Sequence, residues 1–127
     1  MAPAAGVSRT PGPFKKDDRV RKRPEYLSIY KCCAPMHTSH LVFYARRGPS
    51  TRRRLGCTVP KKVGIAVRRN QIKRWIREAF RAWREELPEG CVMVVNAKRS
   101  AAGIGYGDVA SAFAKIAERL KREGLSL

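Results

Sequence analysis

At 127 residues the chain has the usual size of one compact domain and is long enough to bury a core. Its 28 lysines and arginines stand against 10 acids, a formal net charge of +18, so a polyanion is the first partner to consider and acid-rich catalytic sites are poorly supplied. No apolar run of about 18 residues exists and the N-terminus lacks the apolar middle stretch of a secretory signal, which excludes a membrane-spanning helix and leads us to expect a cytoplasmic protein.

Residues 1–17, rich in Pro, Gly, Ala and Lys, read as a flexible basic tail in which Phe14 is the one apolar residue able to dock. A short helix follows over Arg23–Lys31, with Pro24 suited to a first turn and Tyr26, Leu27 and Tyr30 at helical spacing. Pro35 and Met36 then read as a loop. His40–Ala45 is β-branched and aromatic, and a period of two places Val42 and Tyr44 on one face, Leu41 and Phe43 on the other. The segment from Arg46 to Arg53, with Gly48, Pro49 and Ser50, reads as a hairpin loop, and Leu55–Val59 as the partner strand, ended by Pro60.

After Gly64, Ile72, Trp75, Ile76, Ala79, Phe80 and Trp83 form an apolar helical stripe, and Pro88 with Gly90 is expected to close the helix. Its other face carries Arg69, Lys73, Arg74, Arg77, Arg81 and Arg84; the span from Arg46 to Arg84 holds 14 basic residues and one acid, Glu78. Cys91–Asn96 is a near-continuous apolar run, as expected of a strand covered on both faces. A last helix has apolar positions Val109, Ala112, Phe113, Ile116, Ala117 and Leu120, with Asp108 able to cap it. Residues 123–127 read as a short C-terminal tail after a domain spanning 18–122.

Lys61, Lys62, Arg68 and Arg69 surround the point where a glycine-bearing loop enters the basic helix. Amides at a helix start, aligned with the positive end of its dipole, favour phosphate oxygens. Asn70 is placed either to cap that helix or to reach a ribose or phosphate oxygen. Cys32, Cys33, His37 and His40 are the one cluster of metal-ligand types, but adjacent cysteines would strain a tetrahedral site, so no protein-bound metal is expected. Gly103, Gly105 and Gly107 lack the strand that a phosphate cradle requires and read as a flexible turn. No Ser/His/Asp or Cys/His set can be argued from spacing, so no catalytic residue is assigned; Cys57 and Cys91 complete four thiols without C-x-x-C spacing, expected reduced.

The block Lys61-Lys62-Val63-Gly64, then Arg69-Asn70-Gln71-Ile72-Lys73-Arg74, then Arg77-Glu78-Ala79-Phe80-Arg81 resembles the signature of bacterial ribonuclease P proteins. The similarity extends through Tyr26–Tyr30, Phe43-Tyr44, Leu87-Pro88 and the Val92–Ala97 strand. It departs at Gln71, where Arg is usual, and at Pro60, where a small polar residue is common. The resemblance implies an α+β single-domain sandwich, a mostly antiparallel four-stranded sheet packed by about three helices, with a left-handed βαβ crossover. It implies a protein subunit that assists a catalytic RNA in removing the 5′ leader of precursor tRNA, one protein per RNA, inactive alone, with Mg²⁺ bound mainly by RNA and substrate. Lys61, Lys62, Arg68, Arg69, Asn70, Gln71, Lys73, Arg74, Arg77 and Arg81 would contact the catalytic RNA. Tyr26, Tyr30, Val42 and Tyr44 would floor a cleft for the single-stranded leader, by stacking on bases. A general structured-RNA module explains the charge and the helix equally well but gives no reason for a leader cleft.

Overall fold

The computed structural model describes residues 18–125; the expected basic tail at 1–17, with Phe14, lies outside the described residues. Pro24 sits in the first turn of α1 (Arg23–Cys32), where an amide has no helical acceptor to lose. The segment read as a loop around Met36 instead forms a two-residue strand, β1 (Met36–His37), tied to β2 (Leu41–Arg47) by a turn in which the Thr38 amide and hydroxyl both donate to the Leu41 carbonyl, at 2.9 and 3.0 Å. Two residues carry no periodicity, so no pattern announces such a strand. Next come β3 (Arg54–Thr58), α2 (Ala66–Trp83), β4 (Cys91–Ala97) and α3 (Tyr106–Glu123).

The four strands form one sheet in the order β1-β2-β4-β3, antiparallel except for the parallel β3–β4 pair, and three helices pack on it. The expected hairpin between β2 and β3 does not form, because β4 lies between them. The Arg46–Arg53 connection wraps the start of β4 instead: Gly48 N–H donates to Gly90 O at 2.8 Å and Gly90 N–H to Thr51 O at 3.0 Å. Gly90 takes a φ of 76°, and a Cβ there would stand 2.9 Å from the Ser50 carbonyl, so this wrap requires glycine on both counts.

Alternation along the strands assigns the two faces. Leu41, Phe43 and Ala45 of β2, with Cys91, Met93, Val95 and Ala97 of β4, turn toward α2 and α3 and build the larger core. Within it the Phe43 and Phe113 rings meet edge to face at 5.2 Å. Val92 and Val94 turn to the other face and join Val20, Ile29 and Cys33 in a smaller core under α1, against which Tyr26, Tyr30 and Tyr44 pack half-buried. Gly56 of β3 lets α1 come close: a Cβ there would stand 2.7 Å from the Tyr26 hydroxyl.

α2 buries the expected stripe except Trp75, which stays half-buried, and it ends at Trp83 in a 3-10 turn, before Pro88 and Gly90 are reached. α3 buries all six expected apolar positions, but Asp108 is not its first cap. Gly105 is, and Asp108, three residues inside, accepts the Gly105 N–H at 3.0 Å. Of the three glycines read as a flexible turn, Gly103 ends a 3-10 turn, Gly105 caps α3 and Gly107 lies within its first turn. α3 runs one residue into the expected tail, and Leu125 packs against the larger core.

Candidate nucleic-acid interface

α2 starts at Ala66, and Ile65 before it supplies no side-chain cap, so its first amides have no cap acceptor; Lys61 and Lys62 of the preceding 3-10 turn are exposed. Asn70 is the fifth residue of the helix and exposed, which rules out the capping role and leaves its amide on the basic face. Arg74 is likewise exposed, while Arg69, Lys73, Arg77 and Arg81 are half-buried. Arg69 Nε donates to Gly64 O at 3.0 Å, tying the helix to the loop before it.

Arg68 and Gln71 stand apart from the other residues of the motif. The Arg68 guanidinium donates to Ala102 O at 2.9 Å, to Ile104 O at 2.5 Å and to Gln71 Oε1 at 2.7 Å, and lies over the Trp75 ring at 5.2 Å. It clamps the start of α2 to the entry of α3. Where an arginine at position 71 would face Arg68 with a like charge, glutamine supplies an acceptor and holds it in place.

On the opposite sheet face lie Tyr26, Tyr30 and Tyr44, packed half-buried against the smaller core. Tyr26 and Tyr30 lie one helical turn apart, centroids 6.4 Å, and Tyr30 meets Tyr44 at 4.9 Å in a T-shaped contact. Val42 is half-buried beside them in β2. Arg46 continues the Val42, Tyr44 row and donates to Ser28 Oγ of α1 at 3.0 Å. Tyr26 turns away from this row to the β3 edge, and burial pushes its phenol pKa up. There it shares a recess of about 180 Å³ with Arg19, Arg21, Cys57, Lys73 and Arg77. The aromatic helix, ending at Cys32, and the basic helix, starting at Ala66, lie on different faces and therefore meet around the edge of β3.

Acids near α1 are already engaged. Arg54 donates to both oxygens of Glu25, and this contact holds the Glu25 carboxyl below its ordinary pKa. The nearly inaccessible Asp18 accepts from Arg52 at 2.6 Å. The Cys32, Cys33, His37 and His40 set does not converge: His40 Nδ1 bonds Ser100 Oγ at 2.9 Å, and no group of three or more His, Cys, Asp or Glu side chains suited to a metal occurs among the described residues.

Sequence reasoning did not single out three residues that lie beside the tyrosines. Asn96, whose amide accepts from the Tyr30 hydroxyl at 3.1 Å, is the one polar member of the β4 run, and that break was the available signal. Arg19 and Arg21 precede α1 without a pattern; the bridge from Arg19 to Leu55 and the Arg54 guanidinium, which donates to Arg19 O at 3.0 Å, bring this segment to the edge of β3.

The fold and its surface define a class: a small α+β sandwich with cations gathered on one helix and tyrosines half-exposed on the other sheet face. It matches the solved ribonuclease P protein of Thermotoga maritima with a TM-score of 0.72 and 30% identity, covering 80% of this chain and 96% of that one. The ribonuclease P protein of Staphylococcus aureus matches with a TM-score of 0.71 and 27% identity, covering 87% and 98%. A family model described as Ribonuclease P covers residues 14–121. A ribonuclease P protein component of Desulfosudis oleivorans is 37% identical over 110 residues, 87% of this chain and 91% of the relative, and one of Desulfovibrio desulfuricans is 41% identical over 108 residues, 82% and 83%. The chain belongs to the ribonuclease P protein family. No helix among the described residues is long and apolar enough to cross a membrane.

Proposed function

We propose that the chain is the protein subunit of a cytoplasmic ribonuclease P, one copy per RNA, which binds the catalytic RNA through α2 and the 5′ leader of precursor tRNA through the cleft beside α1. The observation that carries this reading is the meeting of Lys73 and Arg77 of α2 with Tyr26 of α1 around one recess. A polyanion on the basic helix and a single strand on the tyrosines would lie side by side there, with cations between them to lower their mutual repulsion.

In this reading the phosphodiester chemistry belongs to the RNA, and the protein alone is inactive. The carboxylates beside α1 are bound to Arg54 and Arg52, so the protein offers Mg²⁺ no oxygen cage there; the ion would be held by RNA phosphates. What this chain contributes is position. Stacking on Tyr30 and Tyr44 orders the leader, and the helix fixes that ordered strand relative to the catalytic RNA.

The test is cleavage of precursor tRNA at low Mg²⁺ by a bacterial ribonuclease P RNA, with the protein, without it, and by the protein alone. Stimulation that requires both components is expected. Cleavage by the protein alone, or no stimulation of a matched RNA, would overturn the proposal. Lys73→Ala with Arg77→Ala should lower the log-log salt slope of RNA binding by about one to two, at roughly 0.7 to 0.9 per lost phosphate contact.

A further inference from the structure

We infer that Asn96 reads the base edge of a nucleotide lying in the tyrosine cleft, favouring keto over amino bases, with Tyr30 holding its carboxamide in the reading orientation; this rests on the leader-binding function above. β4 alternates, so Asn96 shares its face with Val92 and Val94. Those two valines are sealed under α1, whereas Asn96, one step further along, is half-buried at the open end of the cover. Its neighbours across the sheet are Val42 on β2 and the exposed Thr58 on β3.

A carboxamide on a half-open surface would ordinarily rotate. Here the Tyr30 hydroxyl donates to Asn96 Oδ1 at 3.1 Å, and the Tyr30 ring is itself braced edge-on by Tyr44 at 4.9 Å. With the oxygen engaged, the free function of the amide is donation: its nitrogen carries two hydrogens with no acceptor among the described residues. A base stacked on Tyr30 or Tyr44 brings its rim over the Val42, Asn96, Thr58 row. Two outward N–H donors match the carbonyl oxygens of guanine and uracil and oppose the exocyclic amino groups of adenine and cytosine. A buried donor facing a donor loses its hydrogen bond and gains nothing in return.

The experiment measures the affinity of the assembled enzyme, this protein with a bacterial ribonuclease P RNA, for leaderless tRNA and for precursor tRNAs carrying each of the four bases at each leader position in turn. Wild type should favour keto bases at one position by about 3- to 10-fold, the range of one neutral hydrogen bond. Asn96→Ala should bring that ratio below about 2 while leader-bearing tRNA is still preferred over leaderless. Asn96→Asp, which can only accept, should reverse the preference toward amino bases, an outcome that a purely structural role would not produce. Tyr30→Phe keeps the ring and removes the brace, so it should lower the ratio without reversing it. An unchanged ratio in Asn96→Ala and Asn96→Asp, or equal affinity for all four bases in wild type, overturns the assignment while the leader cleft stands. Equal affinity for leader-bearing and leaderless tRNA overturns both.

Discussion

The two faces of the sheet use the same strands for different ends. Toward α2 and α3, the residues at alternate positions are fully enclosed, aromatic meets aromatic, and few polar atoms enter. Toward α1, the sealed apolar side chains among the described residues are Val20, Ile29, Cys33, Val92 and Val94, and the rings beside them carry hydroxyls and stay half-open. A single ten-residue helix covers part of this second face, so its tyrosines keep both stacking surface and hydrogen-bonding groups. One face supplies the stability that lets the other remain incompletely packed.

Substitutions matched across the sheet sharpen this contrast. The largest expected effect is that of Phe113→Ala, which should cost about 3–5 kcal/mol in denaturant unfolding because the ring is wholly enclosed and cannot be replaced by solvent. If the loss were under about 1 kcal/mol, the larger core would not be the main stabiliser. Tyr44→Ala should cost less stability, about 1–2 kcal/mol, yet should reduce the preference for leader-bearing over leaderless tRNA by about tenfold, the worth of one stacked base. An unchanged preference would make that face an ordinary core.

Arg68→Ala comes next. It removes three hydrogen bonds and a cation–π contact, so stability should drop by about 1–2 kcal/mol while the salt slope for RNA binding changes less than in Arg69→Ala. The reverse ranking would mean that Arg68 leaves its clamp to meet phosphate. The smallest effect concerns Glu25. Its pKa is lower in the folded chain than in the unfolded one, so the Arg54 contact adds stability above the unfolded carboxylate value and loses it as pH falls through the folded one. Wild type should exceed Glu25→Gln by about 0.5 kcal/mol near pH 6, discounted for the partial exposure of the pair, and the gap should close as pH falls below about 4. A gap that persists at low pH would assign it to something other than charge.

Much of this architecture was legible in residue order. The stripe from Ile72 to Trp83 and the six apolar positions of α3 gave both long helices, and the two-sided apolar run at Cys91–Asn96 marked a strand covered on both faces. The expected hairpin of β2 and β3 does not form, because β4 takes the place beside each of them. Turn chemistry at Gly48-Pro49-Ser50 is local, whereas the competing partner lies more than 30 residues downstream, and no local rule weighs the two. The tyrosines were found by helical and strand spacing. The clamp on Arg68 was not, because its acceptors are backbone carbonyls of residues 102 and 104, invisible to any side-chain pattern. Gln71, three residues after Arg68 on the helix, accepts from it through its side chain, a pairing that the reading of both as members of the basic face passed over.

The placement of β4 between strands that precede it carries a consequence for how the chain comes into being. During synthesis, residues up to about 90 can form β1 with β2 and the local turns of α1 and α2, but β3 has no strand to join. Cys91–Ala97 is the piece that joins β3 to β2, supplies the valine floor under α1 and gives α2 a surface to lie on. The cleft and the basic helix therefore acquire their mutual geometry in one event, late in the emergence of the chain, and a nascent fragment ending before Cys91 should carry the cations without the site.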